Sequence, residues 1–204
     1  MDATQQALGR VRRFAAAVSV DVPPVDEALE PLRRLLAAAG VEHRLVEGVA
    51  VVHHGYVRTT DDLDVLVDAE ALESLAQVCA EHGFERVSRT RLTHLASGVH
   101  VDLLVAGEPV PRVGAGTYPA PSALAASPRD PAIVGLAGLL QLKLRAGRHQ
   151  DRADVVALLK LLDDAAYDPI EAAIPVGLRP SLFALRRDAL EELEWAARGD
   201  QTRP

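Results

Sequence analysis

The stretch "HHGYVRTTDDLDVLVD", running from His53 to Asp68, joins a knot of negative charge to an apolar, β-branched run. Asp61, Asp62 and Asp64 fall together, and Asp68 closes the run that follows. "DLDVLVD" has the content of a buried strand. Side chains alternate along a strand, so Asp62 and Asp64 share one face while Leu63 and Val65 turn to the other. Carboxylates crowded at the mouth of a strand repel one another unless something positive sits between them. A hard cation such as Mg²⁺ takes oxygen ligands and keeps several waters. Two carboxylates hold it weakly, so a third is expected from a neighbouring strand. "GVHVDLLVAG" supplies Asp102, flanked by Val101, Leu103 and Leu104, and a charge in the body of a strand is rarely buried unless paired or metal-bound. On the residues alone a second reading stays open: Asp61 and Asp62 end a loop, and Asp102 pairs with a nearby arginine.

Outward from this stretch, helical patterning covers about Ala3–Val18 and, after the break at "DVPPV", about Asp26–Ala39, with Leu29, Leu32, Leu35 and Leu36 on one face and Gly40 as the stop. "VEHRLVEG" reads as a short strand and "VAVVHHGY" as one or two helical turns. "AEALESLAQVCAEHG" is a helix ending at Gly83, and "FERVS" a further strand. "RLTHLASGVHVDLLVAGE" looks like a hairpin turning at Ser97-Gly98. Gly107–Pro131 is rich in Gly and Pro and reads as a long loop with a helical turn near Ser122–Ala126. From Pro131 onward helices are expected over about Pro131–Ala146, Asp151–Asp163 and Pro180–Ala197. The expected fold class is therefore α/β (α+β): a small mixed β-sheet flanked by helices over residues 1–120, then a helical C-terminal cap over 121–204.

The bulk numbers restrict the function. A chain of 204 residues can bury a sizeable core, and with aromatics at only 3% that core is built from Leu, Val and Ala. The net charge of −7 argues against a general nucleic-acid coating role, and the scarcity of rings argues against a broad base-stacking platform. A single cysteine, Cys79, excludes an intramolecular disulfide and a cysteine-based zinc site, and points to a cytoplasmic setting. No apolar run reaches the roughly 18 residues of a membrane span, so no membrane is expected as a partner. The N-terminal "RVRRFAAAVSVDVPP" superficially resembles an export signal, but its apolar part stops at Asp21 and reads better as an amphipathic helix.

Three carboxylates on two adjacent strands suit a metal-assisted phosphoryl or nucleotidyl transfer site. At this point the order of motifs adds a resemblance. "EGVAVVHHGYVRTTDDLDVLV" resembles a pattern of the DNA polymerase beta-like nucleotidyltransferase superfamily, and looks closest to its AbiEii-type branch, which includes toxins of abortive-infection and toxin–antitoxin systems. "VHVDLLV" is similar to the third-carboxylate strand of that branch, and "LLQLKLRAGRHQDRADVVALL" to its downstream Lys and Asp-x-x-Asp element, over about Val41–Leu162 in all. The resemblance implies Asp62, Asp64 and Asp102 as catalytic metal ligands for Mg²⁺ or Mn²⁺, with a nucleoside triphosphate such as ATP as substrate. It implies nucleotide-binding roles for Gly48, Arg58, Thr60, Lys143, Asp151 and Asp154, in a site between the acidic sheet edge and the helix carrying Lys143. The acceptor is left open between an RNA 3′ end such as that of a tRNA, a protein side chain and a small molecule. An antitoxin protein is a further implied partner.

One position departs from the family pattern. Glu47 stands where the first glycine of a pair is expected, and a carboxylate there repels a triphosphate. The alternative is thus a catalytically silent nucleotide- or partner-binding protein on the same scaffold; metal-assisted phosphate hydrolysis is a third reading. Several residues also have bland readings: Lys143 as a solvated helix lysine, and Asp151 with Asp154 as an N-cap and its capping-box acid. The same holds for His53 and His54 as structural residues, "KLRAGRHQDR" as a solvated basic face, and Trp195 as core packing. His100 shares a strand face with Asp102 and is a candidate to orient it.

Overall fold

The computed structural model describes residues 2–17, 22–112 and 114–200. The expected stop of the first helix at Val18 and of the apolar run at Asp21 lie outside these residues. The chain forms two compact units, Met1–Gly135 and Leu136–Pro204.

In the first unit, α1 (Ala3–Ala17) and α2 (Val25–Ala39) precede β1 (His43–Val46) and α3 (Glu47–His53). Then come β2 (Asp62–Val67), α4 (Ala71–Val78), β3 (Phe84–Ser88), β4 (Arg91–His94), β5 (His100–Val105), β6 (Ala126–Ser127) and β7 (Asp130–Val134). The strands form one mixed seven-stranded sheet in the order β3-β4-β5-β2-β1-β7-β6. The α/β character and the β4–β5 hairpin are as the sequence led us to expect. Two local expectations fail. Gly107–Pro131 is not all loop, because β6 lies within it, and Pro131 does not open a helix, because β7 runs through it to Val134. Pro131 can stand in a strand since β7 pairs in parallel with β1 only around Ile133, and the missing N–H breaks no ladder bond there.

α2 shows how the sequence builds an element. Asp26 and Glu27 lie in its first turn, where the helix dipole favours anions. Leu29, Leu32, Leu35 and Leu36 recur at helical spacing and are buried. Gly40, at φ +64°, ends it by donating its N–H to the Ala37 carbonyl.

β2 lies between β5, its parallel partner, and β1, its antiparallel one. Leu63, Val65 and Val67 of β2, with Val101, Leu103 and Val105 of β5, form one apolar face that is almost wholly buried. The other face is polar at the start of both strands, where Asp62, Asp64, His100 and Asp102 stand.

His53, at the end of α3, ties α1 into the unit. Its Nδ1 lies 2.7 Å from the Thr4 hydroxyl and its Nε2 2.8 Å from that of Ser127, all three residues being buried. Burial, then the charges of His54 and Arg129, lower its pKa from 6.5 to about 4. The unfolded chain therefore binds the extra proton between these values, and stability rises with pH across that window. Between pH 6.5 and 5 this histidine alone accounts for a loss of about 2 kcal/mol on acidification. Urea denaturation at the two pH values should show a shallower pH dependence in His53→Gln than in the parent, by roughly one proton's worth.

The second unit contains α5 (Leu136–Ala146), α6 (His149–Leu159), α7 (Asp164–Ala173) and α8 (Arg179–Asp200). α7 was not anticipated: Asp163 starts it by accepting the Ala166 N–H. Arg186 of α8 is buried and donates to the carbonyls of Leu159 and Leu162, at and just after the end of α6. Trp195 of α8 is exposed, not packed in a core. No helix among the described residues is long and apolar enough to cross a membrane.

Candidate metal centre

Parallel pairing of β2 with β5 in register sets Asp62 opposite His100 and Asp64 opposite Asp102. Neighbouring strands lie about 4.8 Å apart, so same-face carboxylates at paired positions have no choice but to be close. Asp62, Asp64 and Asp102 each offer an oxygen, and these oxygens lie within 4.8 Å of one another. Two oxygens on one Mg²⁺ at about 2.1 Å are at most roughly 4.2 Å apart. The triad thus fits a divalent cation after a small closing of side chains, and all three carboxylates are half-buried with a side open to water. The donor set, three carboxylates and no nitrogen or sulfur, selects a hard ion.

The charges in the cluster are not neutralised among themselves. The Asp62 carboxyl is pushed above its ordinary range by burial first, then by Asp102, Asp61 and Glu47, with Arg91 acting the other way. Arg91 meets Asp102 in a two-pronged pair, Nε to Oδ1 at 2.6 Å and the NH2 nitrogen to Oδ2 at 2.8 Å. Its guanidinium is held further towards the charged form by that hydrogen bond. The arginine partner of Asp102 and the carboxylate triad therefore coexist; sequence reading treated them as alternatives. Nothing in the local sequence marks Arg91, because its place depends on hairpin register. A turn centred on Ser97-Gly98 sets Thr93 opposite Asp102, whereas the observed register sets Arg91 there and Thr93 opposite His100. His100 hydrogen-bonds Thr93 through Nδ1 at 2.9 Å, and Asp102 is oriented by Arg91.

The residues leading into β2 are packed against one another. A Cβ on Gly48 would stand 2.0 Å from the Thr60 hydroxyl oxygen and 2.6 Å from its Cβ, so only glycine permits this contact. Thr60 is buried beneath it, two residues before Asp62. Arg58, on the same connection, donates to the Thr59 carbonyl at 2.6 Å. Glu47 is the one non-glycine among the described residues with a left-handed backbone, at φ +48°. That conformation costs an L-residue about 1–2 kcal/mol, which explains why a glycine suits the position. Glu47 follows Val46, whose register partner is Asp64, and this places its carboxylate in the field felt at Asp62.

The remaining sequence candidates lie in the second unit. Lys143 is not a solvated lysine: its side chain is 1% exposed, with Nζ 3.2 Å from Asp151 Oδ1 and 2.8 Å from Asp154 Oδ2. Asp151 is not the N-cap of α6 but its third residue, reaching back to accept the Arg148 N–H at 3.0 Å. Burial pushes the Asp151 carboxyl up, but Arg148 and Lys143 outweigh it and hold it below the usual range. Gln150 donates to Asp154 at 2.9 Å. These residues form a neutralised, hydrogen-bonded cluster that locks α5 to α6.

No protein-family model matches the chain, and no curated protein matches it.

Removing one partner of a buried ion pair leaves uncompensated charge and costs about 3–5 kcal/mol. Lys143→Met should therefore lower the urea midpoint by that equivalent with no ligand present. An unchanged midpoint would show that the lysine is not needed to hold the two helices.

Proposed function

We propose that the chain is a metal-dependent nucleotidyltransferase, moving a nucleoside monophosphate from a nucleoside triphosphate to an acceptor hydroxyl. The observation that carries this reading is the convergence of Asp62, Asp64 and Asp102, from two parallel strands, with oxygens within 4.8 Å of one another. Asp62 and Asp64 would hold Mg²⁺ or Mn²⁺ from one strand, and Asp102 would complete the set from the next. An ion held there would supply Lewis-acid stabilisation of the charge on the triphosphate and on the leaving pyrophosphate. Asp102, half-exposed at the strand opening, takes the proton of the acceptor hydroxyl as its oxygen attacks the α-phosphorus. The bond from that phosphorus to the bridging oxygen breaks, and most of the acceleration comes from positioning and charge stabilisation. The motif order gives the reading its reach: an RNA 3′ end, a protein side chain or a small molecule as acceptor, a toxin role, and an antitoxin as protein partner.

A second reading, a nucleotide- or partner-binding protein without transferase activity, is favoured by two observations. Glu47 adds negative charge beside the triad, and Lys143 is engaged with Asp151 and Asp154.

Transfer of label from α-labelled triphosphates to bulk RNA, to protein and to the chain itself tests the first reading. Asp64→Ala should reduce transfer by about 100-fold or more, while changing folding stability by less than about 1 kcal/mol. Label transfer that persists in this variant would place the chemistry elsewhere. Thermal-shift titration with each triphosphate should show stabilisation that requires Mg²⁺; stabilisation without metal, or none, supports the silent scaffold. Glu47→Gly removes both the strain and the added charge, and is expected to raise transfer several-fold in an enzyme and to create none in a silent protein.

A further inference from the structure

We infer that Arg91 competes with a divalent cation for Asp102, so that filling the triad requires the guanidinium to release at least one carboxylate oxygen, and Arg91 thereby sets the cation affinity of the site. The inference rests on the metal-binding reading of the triad given above. Register aligns Arg91, Asp102 and Asp64 in one row across β4, β5 and β2. The planar fork engages both oxygens of Asp102, at 2.6 and 2.8 Å, so neither is left without a strong donor. A cation at about 2.1 Å from either oxygen would stand within about 5 Å of the guanidinium, and the two positive charges repel. Asp62 and Asp64 are arranged differently, since they add negative charge to the same opening without closing on the fork. Arg91 is also able to leave: its side chain is 46% exposed, against 25% for Asp102, so water can receive it. A two-pronged pair at this exposure holds weakly enough to be exchanged, in contrast to the enclosed Lys143 cluster.

The test uses the full chain and Mn²⁺ alone, with free Mn²⁺ followed by its electron paramagnetic resonance signal. Arg91→Gln, which removes the positive charge, should bind Mn²⁺ roughly two- to fivefold more tightly than the parent, the range that an ion pair of this exposure commands. Arg91→Lys keeps the charge without the fork and should fall between the two. Asp64→Asn serves as the site-deficient reference. Equal or weaker binding in Arg91→Gln, with the parent still binding better than Asp64→Asn, overturns the inference and makes Arg91 a support that keeps Asp102 in place. If the parent and Arg91→Gln both bind no better than Asp64→Asn, the metal-binding reading fails and the inference falls with it. A measurement on the unaltered chain is independent of any variant's folding: the Nε–H resonance of Arg91 should shift and exchange faster with water as Mg²⁺ is added. A resonance unmoved at saturating Mg²⁺ overturns the exchange.

Discussion

Parallel, in-register pairing of β2 with β5 is the constraint on which the candidate site depends. Like charges at directly paired positions of neighbouring strands oppose the pairing. Here they are carried along by the opposite face, where Leu63, Val65, Val67, Val101, Leu103 and Val105 are almost wholly buried. Because side chains alternate, a slip of one residue would turn that apolar set to water and the aspartates into the core. The register that buries the six aliphatic side chains is thus the one that forces Asp64 against Asp102. Arg91, opposite Asp102 on the other side, offsets part of the repulsion.

Two acidic clusters in this chain show how the same residue type reaches different ends. Asp151 and Asp154 are enclosed, and Lys143, Arg148 and Gln150 supply them with donors. Their charge is matched, and their geometry joins two helices. The Asp62, Asp64 and Asp102 group is half-open, with Arg91 paired to Asp102, and burial and neighbouring carboxylates push the Asp62 carboxyl upward. Crowded carboxylates with a route to water are the condition under which a divalent ion gains most from binding. Glu47 adds to that field from a strained backbone.

Much of this was legible in the chain before folding. The alternation in "DLDVLV" placed Asp62 and Asp64 on one face, the leucine spacing marked α2, and Ser97-Gly98 marked the hairpin that brings Asp102 back. These are signals of local period and local turn chemistry, carried by adjacent residues. Other features left no such mark. Lys143 has the look of a surface lysine in a leucine-rich helix, because its burial depends on aspartates on the next helix. β7 was hidden behind Pro131, since a proline is excluded from a strand only where its N–H would be needed by a partner.

The sequence by itself determined that this is a mixed α/β chain with two carboxylates side by side at the start of a buried strand, because strand alternation and helical spacing are properties of the backbone a few residues long. Only the tertiary structure decided which side chains meet: Asp102 beside Asp64, Arg91 across from Asp102, Thr60 against Gly48, Lys143 between two aspartates. Those choices rest on register and packing between segments tens of residues apart, where burial of the apolar face selects one pairing among several that the local pattern allows equally.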